Sequence, residues 1–228
     1  MKALVISSCT KRKRYAPPGQ PDCPDLDDPV RRMQKEQELH AYKLRAIEMY
    51  TGQHHLHVRE GLELVWNKLG HESVSLVILS AGYGVLQPGQ LIIPYECTFR
   101  SMKRRGVIAR SHKLGIRRDI EKLVQGFDLI FYLLGKEYLW ALEPLPLTVD
   151  TGIKQFFFVG QGFSARIPEG LGVFRMPAGS QEARQHRQVN LSFKGYLFKL
   201  LCQRMIQEGL TFASVYQEPD LVHELVAP

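Results

Sequence analysis

The sequence predicts an α/β fold: a three-layer sandwich around a mainly parallel central sheet of about four to five strands. Three observations carry this. Continuous apolar runs recur at residues 2–7, 74–79 and 127–134, as in strands covered on both faces. Segments of helical period separate those runs. Each run ends on a turn rich in glycine or charge, the punctuation of alternating strand and helix units.

In chain order, residues 2–7 (KALVIS) read as the first buried strand. Residues 8–29 hold five prolines and the acidic stretch 22–28, and are expected to form a long surface loop or lid. Helical periodicity begins near Val30, with Leu39, Tyr42, Ala46 and Met49 on one stripe, and stops at Thr51 and Gly52. A second helix is predicted over 56–69, closed by Gly70. Residues 74–79 (VSLVIL) give the clearest strand, followed by a glycine- and proline-rich loop over 80–94. A basic helical region spans 99–125. Residues 127–134 (FDLIFYLL) form a third strand, ended by Gly135 and followed by a short helix to Leu142. Strands are also predicted at 155–159 and 171–174, then a long helix over 181–207. Residues 209–228 form a C-terminal extension of weak pattern.

Composition bounds the rest. The 228 residues, 44% hydrophobic and 10% aromatic, suit a single α/β domain over 1–228 with an ample core, and exclude disorder throughout. No apolar run reaches the length of a membrane span. Residues 2–7 are too short for a signal peptide. Cys9, Cys23, Cys97 and Cys202 are irregularly spaced and do not read as a disulfide framework, so reduced thiols and a cytoplasmic setting are expected. The net charge of +7 is concentrated: residues 11–14 and 100–118 together carry +12, leaving the remainder at −5. Residues 100–118 hold eight Lys or Arg and no acid, a density that points to a phosphate backbone.

In parallel sheets ligands bind outside the carboxyl ends of the strands, so the residues after each strand are the candidates for function. After the first come Cys9, Lys11 and Lys13. Their cations suit a phosphate, while Cys9 suits a nucleophile, a ligand or a small buried filler. After the second come Ser80, Gly82 and Tyr83, then Pro94, Tyr95 and Glu96. Here glycine lets the backbone approach a ligand and the tyrosines offer stacking faces. Glu96 is the one carboxylate of that group. Gly135 and Tyr138 repeat the pattern after the third strand. Pro177, Gly179 and Gln181 lead into the last helix, whose first turns carry Arg184 and Arg187. Neither a Walker loop nor a Gly-x-Ser-x-Gly elbow occurs. The histidines at 54, 55 and 57 lack thiol or carboxylate partners, so no metal and no cofactor are expected.

The blocks SSCTKRKR, VILSAGYGVL and IIPYECTF resemble a bacterial and phage family known mostly as a domain of unknown function. The resemblance covers roughly the first half of the chain. More distantly, the layout resembles the uracil-DNA glycosylase superfamily. There a catalytic Pro-Tyr loop follows one strand, and a second loop before a C-terminal helix enters the DNA minor groove. Residues 80–84 and 94–96 stand for the first loop and 176–179 for the second, with Met176 where that superfamily carries a histidine.

The resemblance implies excision of a modified base from DNA, in the setting of antiphage defence. Glu96 would stabilise the sugar cation, Tyr83 or Tyr95 would stack on the base, and Gln181 would read its edge. Lys11, Lys13, Arg104, Arg105, Arg184 and Arg187 would grip phosphates. DNA is the expected partner, with RNA as the alternative in a deazaguanine-type exchange. No membrane and no obligate protein partner is expected. A non-catalytic nucleic-acid binder and an enzyme of free nucleotides are the other two classes.

Overall fold

The computed structural model describes residues 1–168, 170 and 172–228. Its strands are β1 (Ala3–Ser8), β2 (Leu44–Arg45), β3 (Val74–Ser80), β4 (Gly84–Leu86), β5 (Leu91–Ile92), β6 (Leu129–Leu133), β7 (Lys154–Val159) and β8 (Val173–Pro177). Six of them form one sheet in the order β4-β3-β1-β6-β7-β8. Every pairing in it is parallel except that of β4, which folds back on β3. β2 and β5 make a separate antiparallel pair. The chain is therefore α/β with a mainly parallel sheet. The sheet has more strands than expected because β4 lies inside the glycine-rich segment that composition marks as loop. Of the strand expected at 171–174, Leu171 lies outside the described residues and β8 begins at Val173.

Successive strand residues point to opposite faces, and residues 3–7 and 129–133 are all buried, so both faces of the sheet are covered. Ser7 bonds His54 of the Gln53–Leu69 helix, and Phe131 packs on Phe198 of the Phe193–Gln207 helix. Odd positions of β1 and β6 thus face that helical pair. Tyr132, on the other face, lies toward Arg117 of the Ile116–Val124 helix. Aromatic ladders cross the strands: Phe131, Phe156 and Phe174 stack at 5.2 and 5.0 Å on one face, Tyr132 and Phe157 at 4.1 Å on the other. Such pairs add about 0.5–1.5 kcal/mol each beyond burial. The two long helices meet at Gly195, where a Cβ would stand 2.3 Å from the His54 carbonyl oxygen. Only glycine allows that approach.

Three predicted elements differ. The helical stripe from Val30 is broken: a helix covers Pro29–Glu38, and a short one Ala46–Met49. Between them Leu44 and Arg45 pair with β5, a tertiary contact that overrides the local period. The helix expected over 181–207 is two, Ser180–Gln185 and Phe193–Gln207, and Arg187 between them takes a left-handed conformation at φ 53°. The segment 8–29 is no free lid. Arg14 N–H donates to the Met49 carbonyl, Glu96 N–H donates to the Pro21 carbonyl, and Cys23 forms a disulfide with Cys97. The expectation of four reduced thiols is corrected accordingly. Asp22 and Glu96 form a parallel bridge, which sets the next residue of each strand, Cys23 and Cys97, side by side. Their separation of 74 positions hides this from any spacing argument. Among the described residues, no helix is long and apolar enough to cross a membrane.

Candidate functional site

The chain leaves β1 to build β3 and β4 on one side, then returns to lay β6 on the other. The carboxyl ends of β1 and β6 therefore border the crevice at the point where the strand order reverses. A cavity of about 900 Å³ opens there, large enough for a nucleotide. Its walls are the turns after β1, β6, β7 and β8, together with residues 96–98 and the loop over 189–192.

Of the residues singled out in the sequence, this wall brings together Cys9, Lys11, Lys13, Glu96, Gly135, Tyr138, Gly179 and Gln181. Thr10 fixes the first turn: its hydroxyl accepts from Gly52 N–H at 3.2 Å and donates to the Arg12 carbonyl at 3.0 Å. The Lys13 ammonium sits 4.2 Å from the centre of the Tyr95 ring. Burial lowers its pKa, a shift opposed by the charges of Cys9 and Glu96. Glu96 is exposed on the wall. No side-chain hydrogen bond or close ion pair occupies its carboxylate among the described residues.

Ser80, Gly82, Tyr83 and Tyr95 lie beneath the wall instead. Tyr95 is fully buried, and its hydroxyl meets Ser80 Oγ at 2.6 Å and the Tyr50 hydroxyl at 2.7 Å. Ser80 Oγ also accepts from the N–H groups of Gly82 and Tyr83. Burial drives the Tyr50 and Tyr95 phenols well above their ordinary pKa, and the charge of Cys9 adds to it. They remain protonated hydrogen-bond links. The Tyr83 phenol is pushed up to about 12 by burial, and its ring packs edge-on against Tyr95 under the Arg32 guanidinium. A Cβ at Gly82 would stand 2.7 Å from Leu26. These four residues support the cavity floor.

Pro177, Arg104, Arg105, Arg184 and Arg187 are exposed and outside the wall. Arg184 and Arg187 precede the loop that carries Val189 and Leu191. Met176 is buried within β8. Five of the eight cations of the basic segment 100–118 are paired with acids, three of them with acids distant in sequence. Arg104 pairs with Glu143, and Arg110 and Lys113 both reach Asp27 at 3.0 Å. Arg117 pairs with Glu121 and Arg118 with Asp119. Arg110 is only 8% exposed and also donates to the Ala81 carbonyl, so it braces the turn after β3. Arg100 alone of this segment reaches the cavity.

Glu137, Lys194 and His54 also line the cavity, although the sequence reading weighs His54 only as a metal ligand and gives the other two no role. Glu137 stands inside the Gly135–Tyr138 motif and was there to be found. His54 and Lys194 come from the two long helices, where no post-strand signal points. His54 Nδ1 accepts from Gly195 N–H at 3.2 Å, so its proton sits on Nε2, facing Ser7 Oγ at 3.1 Å. Burial lowers its pKa to about 3 and keeps the ring neutral. Lys194 Nζ donates to the Leu134 carbonyl at the end of β6. The neighbouring histidines point elsewhere, His55 to the Ile47 carbonyl and His57 toward Glu60. Among the described residues no group of three or more metal-ligating side chains converges.

Fold and cavity together define the class: an α/β protein with a basic, carboxylate-bearing pocket at the switch point of its sheet. No protein-family model matches the chain, and no curated protein matches it.

Proposed function

We propose that this protein acts on bases in DNA, excising a modified base by cleaving its N-glycosidic bond. The observation that carries the proposal is the loop over 189–192. Val189 and Leu191 are 70% and 67% exposed, yet both belong to the rim of the cavity, and the exposed cations Arg184 and Arg187 lie just before them in the chain. Exposed aliphatics beside a basic pocket suit a wedge that enters a base step while the displaced nucleotide occupies the cavity. Lys11, Arg12 and Lys136 on the wall supply positive charge for the flanking phosphates. Breaking the glycosidic bond builds positive charge on the sugar. A carboxylate free of side-chain hydrogen bonds and close ion pairs among the described residues, as Glu96 is, stabilises that charge or orients water.

The test is incubation with unmodified and hypermodified phage DNA, followed by quantitation of abasic sites. Sites should appear on modified DNA, and none on any substrate would sink the proposal. Glu96→Gln should abolish them while leaving DNA affinity intact.

A second reading, processing of a free nucleotide, draws on the ion pairs of the 100–118 segment. They consume five of its eight cations and shorten the basic face available to a long polyanion. Turnover that does not fall with added salt would favour it.

A further inference from the structure

Lys194 is a mostly buried ammonium that lines the cavity and has no carboxylate within ion-pair distance among the described residues. An unpaired buried cation is costly to keep, so its position calls for a role. The fold fixes that position. Lys194 occupies the first turn of the Phe193–Gln207 helix, directly after the loop bearing Leu191. The adjacent Gly195 locks that turn onto His54, and the Leu134 carbonyl holds the amine at the end of β6. Around it stand neutral His54 and the Glu137 carboxylate, whose charge acts on Lys194 without contacting it.

We infer that Lys194 is a covalent catalyst that forms an imine with the aldehyde of an abasic deoxyribose held in the cavity, and that Glu137 serves as the base for strand cleavage. This rests on the base-excision reading above. Loss of the base leaves a sugar whose ring-opened form carries an aldehyde at its first carbon. The Lys194 nitrogen lone pair attacks that carbon, and the carbonyl oxygen leaves as water, giving a carbon–nitrogen double bond. Glu137 removes a proton from the second sugar carbon. The electrons of that C–H bond form a new carbon–carbon double bond, and the bond from the third carbon to its phosphate oxygen breaks. Water then hydrolyses the imine and frees the lysine. Desolvation makes the step accessible: burial pushes the Lys194 ammonium down to about 8, against the opposing pull of Glu137, so free amine is present near neutral pH.

The experiment uses the full chain and a DNA duplex bearing a pre-formed abasic site, with borohydride to reduce any imine. A single covalent protein–DNA adduct should form and map by mass spectrometry to Lys194. No adduct, or one on Lys11, Lys13 or Lys136, overturns the inference. Because this substrate already lacks its base, the result does not depend on whether the protein excises bases. Release of modified bases without an adduct would therefore leave the excision reading standing and remove only Lys194. Lys194→Met should lose both adduct and strand cleavage while Glu137→Gln keeps the adduct and loses cleavage. If Lys194→Met fails to fold, the mapped wild-type adduct still decides.

Discussion

Cys9 Sγ lies 3.0 Å from the hydroxyl of Tyr138, so the turn after β1 and the turn after β6 meet across the switch point of the sheet. Burial, and then the charge of Cys9, raise the Tyr138 phenol well above its ordinary range. The phenol keeps its proton, and its oxygen shares one hydrogen bond with the sulfur. Both residues line the cavity, as do Lys13 and Glu96.

A thiol so placed should report on occupancy. Tyr138→Phe removes the hydroxyl that meets the sulfur and is expected to change the rate of Cys9 alkylation by iodoacetamide, with little change in fold. Saturating DNA should protect Cys9 in the wild type. Unchanged alkylation in the presence of bound DNA would mean that the nucleic acid does not enter this cavity. Cys202 is fully buried and should stay silent in both experiments.

The wedge makes a separate prediction. Under the base-excision proposal, removing Leu191 would take away the apolar group that fills the space left by a displaced base, and unstacking costs a few kcal/mol. Leu191→Ala is expected to reduce base release from duplex DNA by about ten- to a hundredfold, as a contribution of about 1.4–3 kcal/mol implies. On single-stranded DNA, where no stack needs opening, the loss should be under about threefold. Equal losses on both substrates would assign Leu191 to packing alone.

The disulfide holds the Cys23–Asp27 helix against the segment that presents Glu96. Cross-linking positions 74 apart is worth about 4 kcal/mol in loop-closure entropy. Cys23→Ser with Cys97→Ser, or reduction of the wild type, should lower the urea midpoint by an amount equivalent to about 2–4 kcal/mol. Base release should fall with it, because Asp25, Asp27 and Arg110 share this corner: Arg31 and Arg110 reach the two aspartates at 3.7 and 3.0 Å. Identical midpoints in oxidised and reduced protein would show that the linkage carries no stability.

Much of this arrangement is legible in the residues. The runs that become β1, β3 and β6 are apolar throughout because both sheet faces are covered, and that pattern is visible without coordinates. The turns after β1 and β6 follow by the strand-end rule, which is why Cys9, Lys11, Gly135 and Tyr138 gather on one wall, where Glu96 from beyond β5 and Gln181 from beyond β8 join them. What was not legible depends on long-range partners. The charge of residues 100–118 looks uncompensated until Asp27 and Glu143 arrive from other parts of the chain. Tyr95 has the composition of a stacking residue, yet its register after β5 turns it down onto Ser80 and Tyr50. Lys194 and His54 sit on helices whose periodicity marks only a packed face. The left-handed Arg187 that lies between the Ser180–Gln185 and Phe193–Gln207 helices carries no glycine or proline to announce it.

Acid sensitivity should be governed by the histidines under the cavity. Burial lowers the pKa of His54 to about 3 and of His55 to about 4, from an ordinary 6.5. For both, burial is the largest cause. The second for His54 is the charge of His55, and for His55 a hydrogen bond to the Ile47 carbonyl opposes the shift. The folded state holds these rings neutral, while the unfolded chain takes up protons as pH falls through about 6.5. Their contribution to stability is thus fully present above pH 6.5 and is lost progressively as pH drops toward 4 and below. Each pKa unit corresponds to about 1.4 kcal/mol, so the combined loss by pH 4 is on the order of several kcal/mol. Urea titrations at pH 7.5, 6, 5 and 4.5 should show the midpoint falling across this window. His55→Gln, which keeps a donor toward Ile47 but cannot be protonated, should flatten the slope relative to wild type even if it lowers stability at pH 7.5. A slope unchanged by that substitution would place the acid sensitivity elsewhere, the paired carboxylate of Asp27 being the first alternative. There burial raises the pKa, but hydrogen bonds from Arg110 and Lys113 outweigh it and hold the group below its ordinary 3.8. Its stabilisation would persist to lower pH, so the two origins separate by the pH at which the midpoint begins to fall.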